Sequence, residues 1–194
     1  STLTVVGVSG GVTFTGDGVT AEGGGVASLD ATTWLAGERT VVVRNTEAVS
    51  TLSISVEDAT STGGPYVGAM DSVITYHPDA YSKIIVTAPA EVTQGEAFRV
   101  DLMMADKYDN LIVDSNDRYV SISANKLGIE VPTGDLWIED GVGHFMTKAM
   151  GWSGEGLVFN VKDVVNLEGS TVTHGMSAAV TVLPGNGGGT TTLD

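Results

Sequence analysis

The stretch SKIIVTAPAEVTQGEAFRVDLMMADKYDN, residues 82–110, decides how the fold is read. It holds two runs in which apolar and polar residues alternate, the period-two pattern of half-buried β-strands. Pro89 ends the first run, because proline has no N–H to give to a ladder. Gly95 supplies the positive φ of a tight turn before the second. In that second run Phe98, Val100, Leu102 and Met104 share one face, the expected core face. Asp106 and Asn110 then close a corner by folding their side chains back onto the backbone. This is how a β-sandwich domain opens, yet 81 residues precede it.

The rest of the chain is built from the same palette. TLTVVGV, GVTFTG, TVVVRN, TLSISVED, YVSISAN and AAVTVL all alternate, and 26 glycines punctuate them. Helical periodicity is not sustained over ten residues anywhere, so the expected class is all-β, built of sandwiches. The 42% of apolar residues can fill a core, but no run approaches the ~18 a membrane helix needs. Ser1 opens directly onto TLTVVGV, without the basic flank of a secretory signal. Net charge is −15 with only nine Lys and Arg, so there is no cationic stripe for nucleic acid. The same balance disfavours anionic membranes. With no cysteine, disulfides, zinc–thiolate sites and thiol nucleophiles are excluded.

The chain also matches itself. GAMDSVITYHPD (68–79) lies on HGMSAAVTVLPG (174–185), and SISVEDAT (53–60) lies on VFNVKDVV (158–165), with Asp58 on Asp163. Both matches are spaced by 105 to 106 residues. Upstream, Thr15-Gly16-Asp17 meets Thr133-Gly134-Asp135 and Gly25-Val26 meets Gly141-Val142, at spacings of 116 to 118. The first copy therefore carries an insertion of about ten residues, expected around ERTVVVRNTEA. The expected organisation is an incomplete sandwich over 1–79, a complete one over 80–186, and a Gly/Thr-rich tail over 187–194. The first copy has no counterpart of residues 80 to about 117, so it lacks its N-terminal strands.

The complete copy resembles the bacterial immunoglobulin-like repeats of cell-surface and secreted proteins, the broad family of invasin- and intimin-type stalk domains. Ala88-Pro89, Gly95, the Asp106 to Asn110 corner, the Asp140 to Phe145 strand and the Val161 to Asp163 strand carry it, over about 105 residues. The resemblance implies tandem Ig-like β-sandwiches at an extracellular or cell-surface location. It implies no particular activity, since such domains serve as spacers, stalks, adhesins and enzyme appendages.

Candidate chemistry is sparse. Asp106, Asp109, Asp114 and Asp117 crowd the loop DKYDNLIVDSND, and hard oxygen ligands of this kind suit calcium as a structural ion. The EF-hand glycine and terminal Glu are missing, and carboxylates capping turn amides read the same residues without a metal. GVSGG (7–11) has the spacing of a nucleophile elbow around Ser9, but a strand follows where that motif needs a helix. His77, His144 and His174 have no metal-ligand spacing. Trp34, Trp137 and Trp152, with Tyr66, Tyr76, Tyr108 and Tyr119, are expected to pack against cores or between domains, the alternative being a sugar-stacking platform. LPGNGGG (183–189) resembles a sortase signal, but Asn186 stands in for the required Thr, so it reads as a linker.

The expected function is non-catalytic: tandem Ig-like domains building an extracellular stalk, fibre, filament or surface layer by self-association or through neighbouring repeats. With Ser1 as a mature terminus, the first sandwich exposes an edge that a strand from a neighbouring subunit would complete, giving a filament. The other reading of the same terminus is a fragment of a longer repeat protein. The alternative function is a carbohydrate- or receptor-binding accessory module of a larger secreted protein.

Overall fold

The computed structural model describes residues 2–7, 11–30, 38–58, 66–69, 74–113, 118–164 and 174–185. Among them there are strands, turns and bends and no helix. The chain divides into two compact units, Ser1–Pro78 and Asp79–Asp194. The first contains β1 (Thr2–Gly7), β2 (Val12–Thr15), β3 (Val19–Gly23), β4 (Val26–Asp30), β5 (Val42–Asn45), β6 (Val49–Leu52), β7 (Ile54–Asp58), β8 (Tyr66–Ala69) and β9 (Ile74–Tyr76). The second contains β10 (Lys83–Thr87), β11 (Glu91–Thr93), β12 (Ala97–Ala105), β13 (Arg118–Ala124), β14 (Ile129–Glu130) and β15 (Leu136–Ile138). It continues with β16 (Val142–Ala149), β17 (Gly154–Leu157), β18 (Phe159–Asp163), β19 (Gly175–Met176) and β20 (Val180–Leu183).

In the second unit β10, β12, β16 and β14 form one sheet in that order. Counted along the chain this is the A-B-E-D sheet of an immunoglobulin sandwich. The opposing layer is built from β15-β13-β18-β19 and β11-β20-β17. β17 and β18 continue one another, as do β19 and β20. Leu157 faces Val180 and Asn160 faces Met176 across one hairpin, with a bulge between the pairs. Ser177 repairs that bulge: its buried Oγ accepts the Phe159 N–H at 3.0 Å and donates to the Ala178 carbonyl at 2.8 Å.

The opening stretch folds as its pattern dictates. Phe98, Val100, Leu102 and Met104 are all buried, and Gly95 turns at φ 89°. Phe159 stands at the centre of the core, edge-on to Phe98 at 6.0 Å and to Phe145 at 5.6 Å. Burying a side chain of this size is worth roughly 1.5–3 kcal/mol, so this triad anchors the two layers.

The first unit has a five-stranded sheet, β3-β4-β1-β7-β8, and two strand pairs, β2-β5 and β6-β9. Its pairings follow those of the second. Val49 faces Tyr76 and Leu52 faces Ile74 around a bulge, just as Gly154 faces Val182 and Leu157 faces Val180 around theirs. Val5 faces Val56 as Ile122 faces Val161. β2 pairs with β5, Thr13 facing Arg44, in the place where Glu130 of β14 faces Lys148 of β16.

One expectation needs correction. The extra residues of the first copy do not lie around ERTVVVRNTEA. β4 pairs with β1 as β15 pairs with β13, which leaves β3 and its turn as the segment without a counterpart. The Gly25-Val26 match to Gly141-Val142 was therefore a coincidence between two glycine turns, since Val26 enters β4 whereas Val142 enters β16.

Candidate functional site

The acidic loop was the first candidate. Asp106 follows β12 directly and is fully buried, and both of its oxygens are engaged. Oδ1 accepts the N–H groups of Tyr108 (2.8 Å) and Asn110 (3.0 Å). Oδ2 accepts the Asp79 N–H (2.9 Å) and the Asn110 side-chain amide (2.8 Å). Burial opposes ionisation of Asp106, but the bonds from the Asn110 side chain and the three backbone amides outweigh it. They hold its carboxyl below the usual carboxylate range. Asp109 takes a left-handed conformation at φ 72° and pairs with Lys83. Asp114 and Asp117 lie outside the described residues. Among the described residues no three His, Asp or Glu side chains stand close enough to hold a metal ion.

A buried ion pair closes one end of the β13–β18 ladder, where β13 begins and β18 stops. Arg118 bonds Asp163 at 2.8 Å, Asp163 being 2% exposed, and the guanidinium lies over the Tyr81 ring at 4.6 Å. Burial, and after it the Asp163 carboxylate, pushes the Tyr81 phenol well above its ordinary pKa. The sequence marked Asp163 as a repeat landmark and as the end of a strand. Its charge partner lies 45 residues away, which no local pattern reports.

The aromatic residues divide. Trp152 is half-buried against the core, with Lys126 over its ring at 5.2 Å. Tyr119 and Trp137 are neighbours across β13 and β15, ring centroids 4.6 Å apart, and they remain 46% and 42% exposed. The pair therefore lies outside the core, which corrects the core half of the expectation for these two residues. A signal for it exists in YVSISA: Tyr119 alternates in phase with Ser121 and Ser123, opposite to Val120 and Ile122. Val164, also exposed, extends the same row, its N–H bonding the Tyr119 carbonyl.

A shallow groove of about 510 Å³ lies on the outer face of β12 and β16, lined by Arg99, Asp101, Met103, Val142 and His144 among others. Arg99 pairs with Asp101 at 2.6 Å, and Asp101 faces His144 across the ladder. The groove's lining contains no serine or cysteine beside that histidine. Ser9, Trp34 and residues 186–189 lie outside the described set. His77 and His174 are exposed at strand borders.

No family model and no curated protein matches the chain. Solved structures similar to it include the D00-D0 domain of intimin, at TM-score 0.47 and 12% identity, covering 92% of this chain and 84% of that one. A β-glucuronidase from Parabacteroides merdae gives TM-score 0.41 and 14% identity over 88% of this chain and 21% of its own. The Escherichia coli adhesin FdeC gives 0.36 and 19% over 93% and 52%.

Proposed function

We propose that this chain is a non-catalytic structural and interaction protein whose Ig-like units build an extracellular stalk, fibre, filament or surface layer. The observation that carries the reading is where the buried polar groups are used. Asp106, Thr147, Asp163 and Ser177 each bond to a turn, strand or ion pair of the fold itself. A catalytic site aims such groups at a cavity instead. The acidic, lysine-poor composition fits a soluble surface that packs against other subunits once salt screens its charge. The test is fractionation of the source cells followed by sizing. Recovery from the envelope or the medium in high-mass assemblies supports the role, and a cytosolic monomer overturns it.

The exposed Tyr119–Trp137 pair favours a second reading, a carbohydrate-binding module. Glycan-array binding that disappears in Trp137→Ala supports this reading, and an array without hits removes it. Calcium bound by Asp106, Asp109, Asp114 and Asp117 is a further proposal, resting on the acidic loop alone. Its test is an unfolding scan with and without EDTA: a fall in Tm supports the site, and an unchanged Tm overturns it.

A further inference from the structure

In the second unit β15, β13 and β18 present a face turned away from the core. Strand alternation puts Tyr119, Ser121 and Ser123 of β13 on it, opposite to buried Val120 and Ile122. On β15 it puts Trp137 there. The exposed residues two places before and after, Asp135 and Glu139, share that side, because Leu136 and Ile138 pack against the core. Along β18 and just past it come Asn160, Lys162 and Val164, alternating with buried Phe159, Val161 and Asp163.

The ladder registers order these side chains. Tyr119 faces Trp137, and Ser121 faces Lys162, so the lysine stands one strand beyond the aromatic pair as seen from β15. The two rings are tilted by 57°, which makes a notch and not a flat plate. One ring takes the C–H face of a pyranose while the other closes on its rim. Asp135 and Glu139 flank the notch, each about 7 Å from Trp137 along the strand. Neither carboxylate has an ion-pair partner among the described residues. An ammonium within about 6 Å of a ring centroid is attracted to the ring's face. A carboxylate beside it adds a charge-assisted hydrogen bond. The net charge of −15 draws cations toward the whole surface.

We propose that this face binds a glycan carrying free amines, a polymer of amino sugars, with one pyranose seated on Trp137 and Tyr119 and its ammonium paired with Asp135 or Glu139. The inference rests on the carbohydrate reading above and gives it a ligand class. A neutral glycan uses the rings alone. A uronate-bearing one sets its own carboxylate against Asp135 and Glu139, like charges that repel. A cationic sugar uses both halves of the site. The neighbouring Ser121, Ser123 and Asn160 offer hydroxyls and an amide to the sugar hydroxyls that follow along the polymer. A protein partner fits less well, because the exposed apolar row is Trp137, Tyr119 and Val164, whereas a stable protein interface takes roughly 20–30 residues a side.

The probes are three β-1,4-linked hexamers, of glucosamine, of N-acetylglucosamine and of glucose, with hexalysine as a cationic peptide. Each is titrated calorimetrically into the full chain at about pH 5.5, where carboxylates of ordinary pKa ~3.9–4.3 are ionised and the sugar amines protonated. The glucosamine hexamer is expected to bind at least tenfold more tightly than the other three probes, and added salt to erode that advantage. Trp137→Ala is expected to weaken it at least tenfold. The double variant Asp135→Asn/Glu139→Gln is expected to bring its affinity down to that of the acetylated hexamer. Equal affinity for all three hexamers overturns the amine preference and leaves the carbohydrate reading standing. Binding of none of them overturns both. Hexalysine binding as tightly as the glucosamine hexamer makes the face a general cation site and overturns a glycan ligand. Glucosamine-hexamer binding untouched by either variant lies elsewhere on the chain and overturns the assignment to this face.

Discussion

The hairpin β6-β7/β8-β9 of the first unit and the hairpin β17-β18/β19-β20 of the second have the same pairings and each carries a bulge, yet they differ in depth. Val161, Val180 and Val182 are 0 to 1% exposed, while Val56, Ile74 and Tyr76 are only half-buried. The pairing within the hairpin does not cause this, since the registers agree. The cover does: Ile84, Val86, Phe98, Val100, Leu102 and Met104 close the second core, and the first has no described counterpart of them. Burial belongs to the pair of layers, not to the strand.

The most severe way to probe the contrast is to truncate its deepest residue. Phe159→Ala is expected to cost the second unit about 3–5 kcal/mol, and the equivalent Ile54→Ala only about 2 in the first. Denaturant unfolding read by unit-resolved hydrogen exchange measures both, and equal losses would break the comparison. Next is the corner that only the second unit displays. Asp106→Ala leaves four donors unpaired and is expected to cost about 2–4 kcal/mol, each buried orphan being worth ~1–3 before water reaches it. The folded pKa of Asp106 lies below its unfolded value. Its stabilisation is therefore complete above the ordinary carboxylate pKa and lost as pH falls through the folded one. An acid scan below pH ~4 should lower the second unit's transition in the parent, and less so in Asp106→Asn.

A glycine pair gives a finer test, Gly68 facing Val56 in β8 as Gly175 faces Val161 in β19. Gly175→Ala is expected to cost about 1–3 kcal/mol, the range for overpacking, because the added methyl meets the β10 backbone. Gly68→Ala should be neutral, and a loss there would show that something already covers β8. The smallest effect is expected on the exposed face. Trp137→Ala should change stability by less than ~0.5 kcal/mol while removing any glycan binding.

Much of this was legible in the sequence. Period-two alternation exposed the core face of β12, because strand geometry is local. Asp106 and Asn110 announced their corner for the same reason: the bonds span four residues or fewer, apart from the one to Asp79. Asp58 and Asp163 registered the two hairpins correctly. The insertion was misplaced because its position depends on which strand pairs with β1, a long-range choice that short glycine-rich matches do not encode. The Arg118–Asp163 pair was invisible on the same grounds. Of the candidate calcium ligands, sequence supplied the oxygens, and the fold shows two of those carboxylates engaged within the protein.

One pairing in the second unit has a mechanical consequence. β11, near the unit's entry, lies parallel to β20, near its exit, with Glu91 beside Thr181 and Thr93 beside Leu183. The bonds from Thr181 N–H to Ala90 (2.9 Å) and from Gln94 N–H to Leu183 (2.8 Å) lengthen that seam. Tension applied where the chain enters and leaves the unit slides these two strands along each other, so the bonds of the seam are loaded together in shear. A hairpin pulled from its open end would instead unzip them one at a time. Those bonds therefore give way together instead of in sequence.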